Sequence, residues 1–283
     1  MTDATVTAGV GGVGDIASWN GGCLLIGEKV GVVPVHSHYA IQIVFGSERG
    51  VRLRTSEHEE WTEYTGAIIP SRQPHSMDAT RVRYNAVLFV EPETKEGRVL
   101  TELYLQDGIA PLPDAALAGP AAAVFSALIE QRTRKALTDA SWGVIRALTR
   151  GVEPSVVVDE RLLRAVAYIN AHLHSALTLE EVAAAAYLSP SRFRHLFVEQ
   201  TGMALRPYIL WRRFLKVWEL VMDGESLSAA AHRAGFADAA HLTRTSRRMF
   251  GFPPSAMRPG GSYGPTTARR KAPSGARRPP NDS

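Results

Sequence analysis

Cysteine is almost missing from this chain of 283 residues: Cys23 stands alone. An intrachain disulfide is therefore impossible, and a zinc site built from cysteines is excluded. No apolar run approaches the roughly 20 residues needed to span a bilayer. Met1-Thr2-Asp3-Ala4 offers neither the basic start nor the apolar core of a secretory signal. These absences lead us to expect a cytoplasmic chain without membrane contact. The length allows two domains with their own cores, and an apolar share of 45% suffices to fill them.

Charge is scarce as a net quantity, +4 overall, but it is unevenly spread. Residues 1–158 hold 14 Lys/Arg against 18 Asp/Glu, and residues 159–258 hold 13 against 9. Residues 259–283 hold 5 against 1. The last third is thus the part suited to a polyanion, through phosphate contacts and counterion release. The tail 259–283, rich in Gly, Pro and Arg, is expected to be a disordered basic segment, with Arg269-Arg270-Lys271 and Arg277-Arg278 in it.

Two helix-turn-helix patterns occupy that basic third. In the first, Thr178-Leu179-Glu180-Glu181 reads as a capping box, and Ser189-Pro190 as a serine cap with proline at the first helical position. On the helix that follows, Phe193, Leu196 and Phe197 share one arc, and Ser191, Arg194, His195 and Val198 the opposite one. In the second, Gly235 supports the turn and Asp238 caps a helix with Leu242, Met249 and Phe250 on one face. Ala240, Arg244, Arg247 and Arg248 lie on the other, with Thr243 at the boundary. The second helix of such a motif enters the major groove of DNA. Arg194 is positioned for a bidentate pair with a guanine, Ser191 and His195 for base edges or phosphates, and Arg192 for backbone. Between the motifs, residues 206–221 read as a helix with an apolar band of Tyr208, Ile209, Trp211, Phe214, Leu215 and Trp218. It should hold the two readers about 34 Å apart.

Residues 16–90 read as short β-strands separated by Gly, Pro and Ser, as in a barrel or sandwich. Helical spacing begins near Glu96 with Leu100, Leu103 and Tyr104. It continues over 120–135 with Val124, Phe125, Leu128 and Ile129, and then with Trp142, Ile145 and Leu148. These stripes pack on their own barrel or on a second subunit. Gly151-Val152-Glu153-Pro154-Ser155 reads as a linker, and Leu162, Leu163, Val166 and Ile169 as the inward face of the next helix. The expected organisation is 1–95 sensor, 96–158 helical dimerisation segment and linker, 159–258 DNA-binding domain and 259–283 tail. The fold class is α+β.

Residues 159–258 resemble the DNA-binding domain of the AraC family of bacterial transcription regulators. The resemblance rests on Leu188-Ser189-Pro190-Ser191, Phe193, Phe197 and Thr201-Gly202. It continues through Ala234-Gly235-Phe236, His241-Leu242-Thr243-Arg244, Phe250-Gly251 and Pro253-Pro254-Ser255. It implies a seven-helix domain placing two recognition helices in successive major grooves. Ser246 departs from the family's usual phenylalanine, in the middle of an apolar face. A hydroxyl there leaves space and needs a partner, so a weakened second motif is expected.

In the β region, His36 and His38 project to one side of a strand, with Gln42 four residues on, and His75 follows Gly66-Ala67-Ile68-Ile69-Pro70. This resembles the two cupin motifs, whose histidines and glutamate implies a site for one metal ion. Here Gln42 replaces the glutamate, and Gln73 stands where the second motif has glycine. The residues fit a divalent transition metal, a metal-free effector pocket, or no ligand at all. His58, in the acidic Glu57-His58-Glu59-Glu60 run, is expected to be solvated.

The resulting expectation is a sequence-specific transcription regulator, not an enzyme, with no catalytic residues assigned. A cupin-like barrel would sense a small effector or metal and the middle helices would pair a homodimer. The carboxy-terminal domain would bind double-stranded promoter DNA, meeting RNA polymerase if it activates. The competing readings are a metal-dependent cupin enzyme tethered to DNA and a constitutive DNA binder whose amino-terminal half only dimerises. The first lacks a carboxylate with a clear general-base role beside the histidines.

Overall fold

The structure, a computed structural model, describes residues 12–156 and 158–259. The basic tail from residue 260 on and the amino-terminal tetrapeptide lie outside the described residues. The chain opens with nine strands: β1 Gly12–Trp19, β2 Gly22–Glu28, β3 Val32–His36, β4 Ile41–Gly46, β5 Val51–Arg54, β6 Thr62–Tyr64, β7 Gly66–Ile69, β8 His75–Asp78 and β9 Tyr84–Val90. Then follow α1 Lys95–Tyr104, β10 Ala110–Pro111, α2 Asp114–Ala116, α3 Ala122–Ser126 and α4 Arg134–Thr149. The last third holds α5 Glu160–Ala171, α6 Leu179–Ala185, α7 Pro190–Thr201, α8 Leu205–Met222, α9 Leu227–Arg233, α10 Ala239–Phe250 and β11 Met257–Pro259. The α+β class holds.

Two sheets form the barrel, ordered β10-β7-β4-β9-β2-β1-β11 and β3-β8-β5-β6. Strands β2, β4 and β9 are buried almost throughout because both faces are covered. Cys23, Leu25, Val44, Val87 and Phe89 point into the barrel. Leu24, Ile26, Ile43, Phe45 and Leu88 point outward against the middle helices. Those helices contribute Val124, Phe125, Leu137, Val144, Ile145 and Leu148 to the same cluster. Most of these apolar stripes are therefore spent on the chain's own barrel, while Leu103 and Ile129 stay exposed.

Three features differ from the sequence reading. The helix expected over 120–135 starts earlier: α2 and α3 run together through wide π turns at Leu117–Ala121 and Ala127–Gln131, ending at a left-handed Arg132. The π turns rotate the stripe, so Ile129 is exposed while Val124 is buried. On α5, Leu163 is 52% exposed and faces outward, with Leu162 and Ile169 facing in. The carboxy-terminal domain has six α-helices among the described residues, and a 3-10 turn Pro254–Ala256 where a seventh was implied. Residues 257–259 are instead captured as a parallel partner of β1.

That capture shows how closely the halves are joined. One continuous apolar cluster runs from the barrel interior through Trp211, Phe214 and Phe250 to the packing of both helix-turn-helix motifs. Trp211, Phe250 and Phe252 close the mouth of the barrel, so the barrel interior and the helical domain share this cluster.

Candidate functional site

The first recognition helix is built as its sequence demands. Thr178 and Glu181 exchange both bonds of the capping box on α6, and Ser189 caps α7 ahead of Pro190. Phe193 and Phe197 are buried, while Ser191, Arg192, Arg194, His195 and Val198 are exposed. In the second motif Asp238 caps α10 by accepting from the His241 N–H at 2.5 Å. Gly235 takes φ +85° in the turn, where a Cβ would sit 2.3 Å from the Leu173 carbonyl oxygen. Ala240, Arg244, Arg247 and Arg248 are exposed and Thr243 is half-buried, its hydroxyl donating to the Ala239 carbonyl at 2.8 Å.

Arg192, Arg194, Arg244, Arg247 and Arg248 make no ion pair among the described residues. By contrast Arg212 pairs with buried Glu91, and Arg233 with Glu225. Cations left unpaired on the outward arcs of two capped helices are suited to phosphates and guanine edges.

Ser246 corrects the expected weakness of the second motif. It is fully buried, and its hydroxyl donates to the Phe252 carbonyl at 2.7 Å. The polar group thus has its partner, and it ties the turn after α10 to the helix.

Behind the readers lies the histidine cluster. A bulge between Val33 and His36 breaks the pairing of β3 with β8, and bulges re-aim side chains. His36 then pairs across to His75 at the start of β8, while His38 sits in the loop just beyond β3 rather than on the strand. The rings come together all the same, with centroids 4.3 Å apart for His36 and His75, 5.3 Å for His38 and His75, and 5.6 Å for His36 and His38. Gln42, on β4, brings Oε1 to 2.8 Å from His38 Nε2. Burial lowers all three imidazoles, His36 to about 3 with His75 adding to the effect, so the rings are neutral near pH 7. His58 is exposed.

Sequence reasoning missed the two carboxylates that join barrel to reader. Glu91 accepts from Trp211 Nε1 at 3.1 Å and pairs with Arg212. Glu93 accepts from Tyr39 at 2.6 Å and Tyr208 at 2.8 Å. Both are buried, and burial followed by the charge of Glu91 raises Glu93 to about 7. At the rim Arg72 donates to the Gly202 carbonyl and Arg98 to Gln200.

Against known proteins, a helix-turn-helix domain family matches residues 182–259. The chain is 32% identical over 111 residues to the regulatory protein PocR of Salmonella typhimurium, covering 39% of this chain and 36% of that one. It is 30% identical over 92 residues to the multiple antibiotic resistance protein MarA of the same species, covering 32% of this chain and 72% of MarA. The chain belongs to the AraC family of transcription regulators. ToxT of Vibrio cholerae shares the fold at a TM-score of 0.52 and 11% identity, over 84% of this chain and 96% of ToxT. The chain thus has the family's helix-turn-helix domain after an amino-terminal barrel, in a fold like that of ToxT. The matched region is only about a third of PocR's length, and no described helix is long and apolar enough to cross a membrane.

Proposed function

We propose that this AraC-family chain is a sequence-specific transcription regulator whose two readers act on promoter DNA under the control of its amino-terminal barrel. The observation that carries this is the pair of capped helices, each presenting exposed arginines without ionic partners, fixed to one connecting helix. Helix α8 is also the helix that Glu91 and Glu93 hold against the barrel, so a change in the barrel has a direct route to both readers. Control then follows from population shift: a ligand acts by binding one docked arrangement better than another.

A small effector or metal at the histidine cluster is the proposed input. One ToxT structure holds (E)-4-(8-methylnaphthalen-1-yl)but-3-enoic acid, a precedent for small-molecule binding on the shared fold. We read the chain as a cytoplasmic regulator and not an enzyme, since its relatives are regulators. A homodimer, meeting RNA polymerase where it activates, completes the reading. Genome-wide mapping of bound sites tests it. Discrete sites upstream of a small set of genes are expected, and binding spread evenly over the genome would contradict it.

A further inference from the structure

We propose that His36, His38, His75 and Gln42 hold one divalent transition-metal ion, and that its binding loosens the seat of the second recognition helix. This rests on the regulator reading above and names both its ligand and its mode of control.

Each of the three imidazoles has Nδ1 against a backbone carbonyl: His36 on Pro34 at 2.8 Å, His38 on Ala40 at 3.0 Å and His75 on Gln73 at 2.9 Å. A carbonyl only accepts, so each Nδ1 carries the proton and each Nε2 keeps its lone pair. This is the arrangement that orients metal-binding histidines. The ligand atoms of the three histidines all lie within 4.8 Å of one another. His75 Nε2 is buried with no hydrogen-bond partner among the described residues, an orphan that an ion would satisfy. Gln42 can meet His38 Nε2 through its amide N–H in the ion-free protein and turn its oxygen to an ion. The two orientations of an amide have the same shape.

Size decides between an ion and an organic effector. The cavity beside the cluster, lined by His36, Gln42, Met77, Phe89, Phe250 and Phe252, measures about 50 Å³. Organic ligands occupy pockets of roughly 300–1,000 Å³. An ion with a water or two fits; a metabolite does not. Three imidazoles and an amide, without a carboxylate, suit zinc, cobalt, nickel or copper over magnesium or calcium.

The roof supplies the control. His38 stacks on Phe250, the last residue of α10, with centroids 6.0 Å apart, and lies 6.2 Å from Trp211 of α8. Gly251 follows at φ +76°, seated so closely on Pro34 that a Cβ would be 3.1 Å from its carbonyl oxygen. Bonds of about 2.0–2.1 Å set tetrahedral ligand atoms about 3.3 Å apart, so ligation draws the rings inward and pulls His38 from its stack. The ion also brings two positive charges with no anionic ligand. The roof has nothing to offer it, because Phe250 and Phe252 are apolar and Trp211 Nε1–H only donates. Water or an anion must enter from that side, which favours the arrangement with α10 unseated.

The test uses the full chain stripped of metal and titrated with Co²⁺, following visible absorption and amide hydrogen exchange over residues 250–256. One Co²⁺ per chain is expected. His75→Ala should weaken binding by about 100-fold or more, and Gln42→Glu, which supplies a carboxylate, should tighten it by about tenfold. Exchange over 250–256 should quicken by about tenfold at saturation. Absence of stoichiometric binding, or Co²⁺ affinity unmoved in a folded Gln42→Glu chain, would overturn the site. Unchanged or slower exchange would overturn the control. DNA affinity of the same preparations separates the two readings: a chain that binds DNA but no Co²⁺ keeps the regulator and loses the ion, whereas Co²⁺ binding without DNA affinity does the reverse.

Discussion

Two residues mark where local chemistry departs from expectation. Ser246 looked like a defect because the sequence shows only its place on an apolar face. The carbonyl that satisfies it belongs to Phe252, beyond the end of the helix. Ser246→Phe in the full chain is therefore expected to lower the melting temperature, by overpacking worth about 1–3 kcal/mol and by loss of that bond. A rise in melting temperature would restore the reading of an underfilled core. Tyr187 is the second. It holds φ +57° in the turn of the first motif, at the place where the second motif uses Gly235, and it is 82% exposed. Left-handed backbone costs a non-glycine residue roughly 1–2 kcal/mol. Tyr187→Gly is expected to stabilise the chain by about 1 kcal/mol in a denaturant titration, and a loss of stability would show that the tyrosine ring supplies packing that outweighs the strain.

At the scale of elements, the readers were legible because their signals are local. A capping box, a serine-proline start and an aspartate cap each lie within four residues of the helix they begin, and all three formed as read. The seat of α8 was not legible. Glu91 and Glu93 meet Trp211, Arg212 and Tyr208 across 115 to 121 residues, and nothing near either carboxylate announces its partner. Nor was the outward turn of Leu163, since an apolar side chain on a helix flank reads as core until its neighbours are known. The two readers should divide their labour. Arg194→Ala is expected to lose about 1–3 kcal/mol of discrimination between specific and random DNA. Arg247→Ala is expected to weaken both alike and to reduce the salt slope by about 1. Anisotropy titrations at several salt concentrations measure both, and equal behaviour of the two variants would erase the division.

For the whole molecule, the histidine cluster shows what spacing can and cannot reveal. The residues were legible as a set, yet a bulge and a loop, rather than a regular strand, bring them together, and the aromatic roof comes from the other half of the chain. The same junction carries a pH dependence. Glu93 is raised from its ordinary 4.5 to about 7 by burial and by the charge of Glu91. A carboxyl raised on folding contributes stability that is fully present below about pH 4.5 and is lost as pH rises through about 7. Glu93→Gln should flatten that part of the melting-temperature profile between pH 4.5 and 7, and an unchanged slope would assign it to other groups.

The claim on which the rest depends is that two unequal helices on one connecting helix read DNA. Selection of the full chain against random double-stranded DNA tests it most directly. The account predicts enrichment of two short half-sites whose centres lie about 10 base pairs apart, with the half-site bound by α7 degenerating in Arg194→Ala. Recovery of no sequence above the random background, from a folded chain, would contradict it.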